Sequence, residues 1–208
     1  MSRAFEQVFA IANAFDGVPM AGRTDAWILS DAAAAHGVSE DAAGLARFHR
    51  AYIQHLAIEL EQPGVARKGV MPGVRELLDA LSQRDDVHVA LLTGNYEEGA
   101  RLKLEYFDLW KYFSCGAFGD SAPHRNVLVP RALARVAACE GLTFAAADAV
   151  VVGDTPLDVG CAAHAGARSL AVATGSHSME ELRAAGADVV LQDLSDTDRV
   201  VRIICSRK

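Results

Sequence analysis

Apolar positions change their rhythm once along this chain. As far as about residue 66 they recur at helical spacing: Phe5, Val8, Phe9, Ala12 and Phe15 predict a helix that Asp16-Gly17-Val18-Pro19 stops. Thr24 or Asp25 can cap a second helix that runs to His36 before Gly37. Ser39 opens a third through Leu45, Phe48, Tyr52, Leu56 and Leu60, ending at Gln62-Pro63-Gly64. Beyond that break, short apolar runs alternate with helical stretches, the sign of βα units and a mostly parallel sheet. Strands are predicted at Val87–Thr93, Ser114–Phe118, Ala149–Asp154, Ser169–Ala173 and Asp188–Leu191. Helices are predicted from Pro72-Gly73, from Tyr96 to Tyr106, from Asn126 to Glu140, after Thr155, from Met179 to Ala185 and from Asp196. The chain therefore divides into an all-helical part, 1–66, and an α/β core, 67–208.

The most informative stretch is Ala149-Val150-Val151-Val152-Gly153-Asp154-Thr155-Pro156-Leu157-Asp158. A β-branched run ending in glycine and a carboxylate delivers Asp154 to the carboxyl edge of the sheet, where open α/β folds bind ligands. Thr155 suits a helix N-cap and Pro156 the first helical position, with Asp158 one turn in. Two carboxylates beside a helix N-terminus can hold a hard dication and leave backbone N–H groups for a phosphate. The alternative is a strand-turn-helix in which Asp154 only caps.

Val89-Ala90-Leu91-Leu92-Thr93-Gly94-Asn95 has the same design. The Thr93 hydroxyl with the N–H groups of Gly94 and Asn95 would cradle an oxyanion, unless the hydroxyl serves the turn alone. Arg125 opens a helix, where a cation opposes the dipole; it is either a phosphate or carboxylate partner or a solvated surface residue. In Gly22-Arg23-Thr24-Asp25, Arg23 could meet a substrate anion, and Asp25 is expected to cap its helix.

The 208 residues are 51% hydrophobic with a mean hydropathy of +0.13, enough for a sizeable core. A net charge of -7 and a pI near 5.5 argue against a nucleic-acid partner. No apolar run is long enough for a membrane span, and the amino terminus reads as an amphipathic helix instead of a leader, so a cytoplasmic protein is expected. Cys115, Cys139, Cys161 and Cys205 form no paired motif and read as reduced thiols.

In order, a strand ending in Thr93, then Arg125, then Gly153-Asp154-Thr155-Pro156-Leu157-Asp158, behind a helical module, resembles the haloacid dehalogenase-like hydrolase superfamily over nearly the whole chain. Within it the helical part and Gly22-Arg23-Thr24-Asp25 are similar to phosphoglycolate phosphatase-like and β-phosphoglucomutase-like members. The resemblance implies a Rossmann-like core with helices on both faces of its sheet and a mobile helical cap. It further implies a Mg2+-dependent phosphomonoesterase acting on a small phosphorylated metabolite through an aspartyl-phosphate. Thr93, Arg125 and Asp154 would be catalytic, Thr93, Gly94, Asn95, Arg125 and Arg23 would bind substrate, and Asp154 and Asp158 would serve the metal. A dehalogenase, a phosphomutase or a non-catalytic phosphate- or partner-binding protein are the rivals.

The resemblance departs at one place. The family's first motif, an apolar strand ending in D-x-D-G-T that supplies the nucleophile, has no counterpart; Asp16-Gly17 ends a helix, and Val18 stands where the second aspartate belongs. That strand lies mid-sheet in the family, between those ending in Thr93 and Asp154. Without it the two strands either close up or leave an open gap that favours self-association. The expectation is that the sequence starts late, with about twenty further residues upstream, a strand and its flanks.

Overall fold

The computed structural model describes residues 1–62, 69–120 and 122–206. Helices α1 (Ser2–Phe9), α2 (Asp25–Ala35) and α3 (Ala42–Glu61) form the amino-terminal part. Their apolar faces meet around Phe5 and Phe48, both fully buried, with Ile28, Leu29 and Tyr52. The first helix is shorter than the pattern predicted. It stops at Ala10, which adopts the left-handed conformation and returns its N–H to Glu6. On a straight helix Phe5 and Phe15 would lie about 15 Å apart; the turn instead brings their rings to 5.5 Å, edge to face. A ring contact overrides helical spacing here. The third helix starts three residues beyond Ser39, because the Asp41 side chain accepts from Gly44 N at 2.7 Å. The expected boundary near residue 66 lies outside the described residues.

The rest alternates as expected: α4 (Val74–Ser82), β1 (Leu91–Leu92), α5 (Glu97–Tyr106), β2 (Gly116–Ala117), a 3-10 turn at Arg125–Val127 leading into α6 (Leu128–Glu140), β3 (Val150–Gly153), α7 (Pro156–Ala165), β4 (Arg168–Val172), α8 (Met179–Ala184), β5 (Val189–Leu191) and α9 (Thr197–Cys205). Every strand pairing is parallel, but the strands fall into two sheets, β1-β2 and β3-β4-β5. No ladder joins β1 to β3 among the described residues. Of the two outcomes expected for the inner edges, the open one is realised. Val152, in the middle of β3, is 41% exposed, unusual for a parallel strand. The seven-residue strand predicted at Val87–Thr93 contracts to Leu91–Leu92, because β1 has a neighbour on one side only.

What joins the halves is packing. Ala117 and Leu92 share an apolar cluster with Val151, Cys161 and Ala162, roofed by Leu128, Val129 and Ala132 of α6. A second cluster holds Leu170, Val172 and Leu191 against α4 and α9. All four cysteines are free. Among the described residues no helix is long and apolar enough to cross a membrane.

Candidate active site

The carboxyl ends of β1 and β3 face one open cavity of about 410 Å³, lined on its other side by residues of the amino-terminal part. Thr93, Gly94, Asn95, Arg125, Asp154 and Asp158 all line it, and so does Arg23. The local chemistry explains how each arrives there.

After β1, Asn95 N donates to Thr93 Oγ1 at 3.1 Å. The threonine oxygen thus acts as acceptor within the turn, and its own hydrogen stays available to a ligand oxygen. The same bond takes the Asn95 N–H out of the expected cradle. The Asn95 side chain is also occupied: Oδ1 accepts from Lys103 Nζ at 3.0 Å and Nδ2 reaches Asp25 at 3.4 Å.

After β3, Thr155 caps α7 and Pro156 begins it, as the sequence predicted, and Asp158 completes a capping box. Asp158 Oδ2 accepts from Thr155 N at 3.0 Å and Thr155 Oγ1 at 2.8 Å, and Oδ1 pairs with Arg125 Nη2 at 2.5 Å. Both oxygens are engaged by the protein, so Asp158 is placed to orient its surroundings. Asp154 differs. Burial and then the neighbouring Asp158 hold its carboxyl above the usual carboxylate range, against the pull of Arg125 and His177. Its carboxylate packs so closely on Gly175 that a Cβ there would collide with it.

Arg125 reaches two parts of the molecule. Its guanidinium donates to Gly22 O at 3.0 Å and pairs with Asp158, while Nε is buried without a partner. Gly22, at φ +72°, lies where a Cβ would strike Thr155 Oγ1, so only glycine lets the helical part approach this closely. Arg23 lines the cavity with its charge already met by Asp31, and it stacks over Trp27 at 4.2 Å.

Asp25 corrects an expectation. Thr24, not Asp25, caps α2, accepting from Trp27 N at 3.1 Å. Asp25 points back to the core, where Oδ2 accepts from Tyr96 N at 2.9 Å. Burial raises its pKa. Lys103 was missed altogether. It follows Tyr96, the N-cap of α5, and Ala100 at i, i+4 and i+7, and the burial of those two in the fold places Lys103 on the inward stripe.

A magnesium ion suits this donor set in part. Mg2+ keeps several waters and takes one or two carboxylates plus phosphate oxygens. Asp154, desolvated beside a second carboxylate, gains from a dication, and Asp158 Oδ1, paired with Arg125, keeps a lone pair that could serve the same ion. Among the described residues no group of three or more His, Cys, Asp or Glu could form an all-protein metal cage.

A family model for haloacid dehalogenase-like hydrolase matches residues 5–163. "Probable phosphatase IndB" of Dickeya dadantii (strain 3937) is 29% identical over 148 residues, 69% of this chain and 61% of that protein, so the chain spans about three fifths of its length. A predicted phosphoglycolate phosphatase from Haemophilus somnus 129pt superposes with a TM-score of 0.63 at 19% identity, over 96% of this chain and 88% of that one. CbbY from Rhodobacter sphaeroides, solved in complex with xylulose-(1,5)bisphosphate, gives 0.66 at 18% identity over 94% and 87%. These solved structures share the fold. With the model spanning well over half its length and the strand ends meeting at one cavity, the chain belongs to the haloacid dehalogenase-like hydrolase family.

Proposed function

We propose that the chain handles the phosphoryl group of a small phosphorylated metabolite as a Mg2+-dependent phosphomonoesterase, with residues 1–66 as a cap over a core of 67–208. One observation carries the reading: Thr93, Arg125 and Asp154, from three separate segments, converge on a single cavity. Family membership supports it, as does the phosphatase in the name of the Dickeya relative.

The Thr93 hydroxyl donates to a phosphoryl oxygen, its acceptor side being taken by Asn95 N. Arg125, fixed by Gly22 O and Asp158, presents its remaining donor edge to the same group and offsets charge that builds up in the transition state. Asp154 would hold Mg2+, and Asp158, which also orients Thr155 and Arg125, would serve as a further ligand or orient its water. Bound there, the ion would draw charge from the phosphoryl oxygens. The cap helices line the open side of the cavity, where they would meet the rest of the metabolite.

An aspartyl-phosphate needs a further carboxylate facing phosphorus. Of the three carboxylates lining the cavity, Asp25 accepts from Tyr96 N, Asp158 is paired with Arg125, and Asp154 has the metal role. That observation favours a second reading, phosphate binding without turnover. An assay with an aryl phosphate and Mg2+ separates the two. Turnover abolished by Asp154→Asn supports the esterase, and phosphate binding without turnover supports the binding protein. Neither turnover nor binding sinks both.

A further inference from the structure

We infer that Lys103 is a second cationic anchor for the ligand's anionic group, supplied by α5 from outside the segments that end β1 and β3. The inference rests on the phosphoryl reading of the cavity and deepens it.

Arg23, Lys103 and Arg125 are the cationic side chains that line the cavity among the described residues. Arg23 is paired with Asp31 and Arg125 with Asp158, so each guanidinium faces the cavity with its charge already met. Lys103 lines the same cavity, and the hydrogen bond recorded for its ammonium goes to a neutral acceptor, Asn95 Oδ1, at 3.0 Å. An ammonium carries three donors, which leaves two for a ligand. Asn95 is also the residue whose N–H closes the Thr93 turn, so Lys103 and the hydroxyl proposed to donate to a phosphoryl oxygen share one partner and one cavity.

The surroundings favour an incoming anion. Burial lowers the Lys103 pKa, and the carboxylate that opposes this is Asp25. Asp25 is itself buried, accepts from Tyr96 N and Asn95 Nδ2, and is pushed toward its neutral form. A desolvated ammonium facing a carboxylate that resists ionising has an incomplete counter-charge, and a phosphoryl oxygen completes it. Lys103 thus reaches the cavity from α5 through Asn95, whereas Arg125 reaches it from the segment after β2 through Gly22 O and Asp158.

The test is calorimetric titration of the full chain with inorganic phosphate, for the wild type and for Lys103→Met, Lys103→Gln, Lys103→Arg and Thr93→Val, with a melting curve for each. Gln keeps a donor for Asn95 and removes only the charge, which guards against a misfolded Met variant. A hydrogen bond from a charged group predicts about a tenfold or larger loss of phosphate affinity in Lys103→Met and Lys103→Gln. Lys103→Arg should restore most of it, a rescue that a merely structural lysine would not give. If the Met and Gln variants bind as the wild type does while Thr93→Val weakens binding, Lys103 is not an anchor and the phosphoryl reading survives. If the wild type binds no phosphate, both fall.

Discussion

The two half-sheets are built alike and held differently. β4 has a parallel neighbour on each side, β3 and β5, and four residues of β3 are in register with it. β1 has β2 alone, over two residues. Yet each half ends in a residue of the same cavity, Thr93 in one and Asp154 in the other. Backbone hydrogen bonds thus shape each half separately, while side chains and helix packing set their relation. Arg125, which follows β2, reaches Asp158 beyond β3, so one ion pair both lines the cavity and spans the seam.

Cutting that pair should have the largest effect. Arg125→Met leaves Asp158, whose side chain is 6% exposed, as a buried charge without its partner. Losing one member of such a pair costs about 3 to 5 kcal/mol, which urea denaturation would register. A change under 1 kcal/mol would mean that the halves are held by packing alone.

Gly175→Ala touches only the second half. Its Cβ would push the Asp154 carboxylate aside, and a misplacement of about 1 Å costs on the order of a hundredfold in turnover. On the phosphomonoesterase reading, aryl phosphate hydrolysis should fall accordingly while the melting temperature barely moves.

Amide exchange sharpens the contrast without a mutation. Leu91 N and Thr93 N bond to β2, so by strand alternation the Leu92 N–H points to the opposite edge, where no strand pairs among the described residues. Leu92 should exchange at least tenfold faster than Ala171 in β4, as expected between an edge and a centre. Equal rates would show that the seam is closed in solution.

The smallest effect is a slope. Burial raises the Asp25 pKa, so the folded state keeps a proton that the unfolded chain releases near pH 3.9, roughly the ordinary aspartate value. Between that pH and the raised folded value the native state binds more protons, and stability falls as pH rises. Asp25→Asn should flatten this decline in stability curves taken from pH 4 upward. Asp154, raised in the same direction, adds to it.

What could be read from the sequence was whatever local chemistry decides. Thr155-Pro156 with Asp158 announced the start of α7, because a cap depends on residues within one turn, whereas at α2 the sequence placed the start but favoured Asp25 over Thr24 as its cap. The end of α1 could not be read, since Ala10 carries no breaker signal and the turn there serves a ring contact with Phe15. Nor could the length of β1, which its neighbours set. At the site, Thr93, Arg125 and Asp154 stood out because each closes or opens an element. Lys103 sits mid-helix, where a lysine ordinarily belongs to the solvated face, and only the fold shows which face that is.

The Arg125–Asp158 pair has a kinetic consequence. Because the guanidinium's field is cancelled at its source, and the chain as a whole is negative, the cavity gains little long-range pull on phosphorylated molecules in solution. Capture would then depend on chance encounter at ordinary rates, about 10⁵ to 10⁷ M⁻¹s⁻¹, and added salt would slow it little.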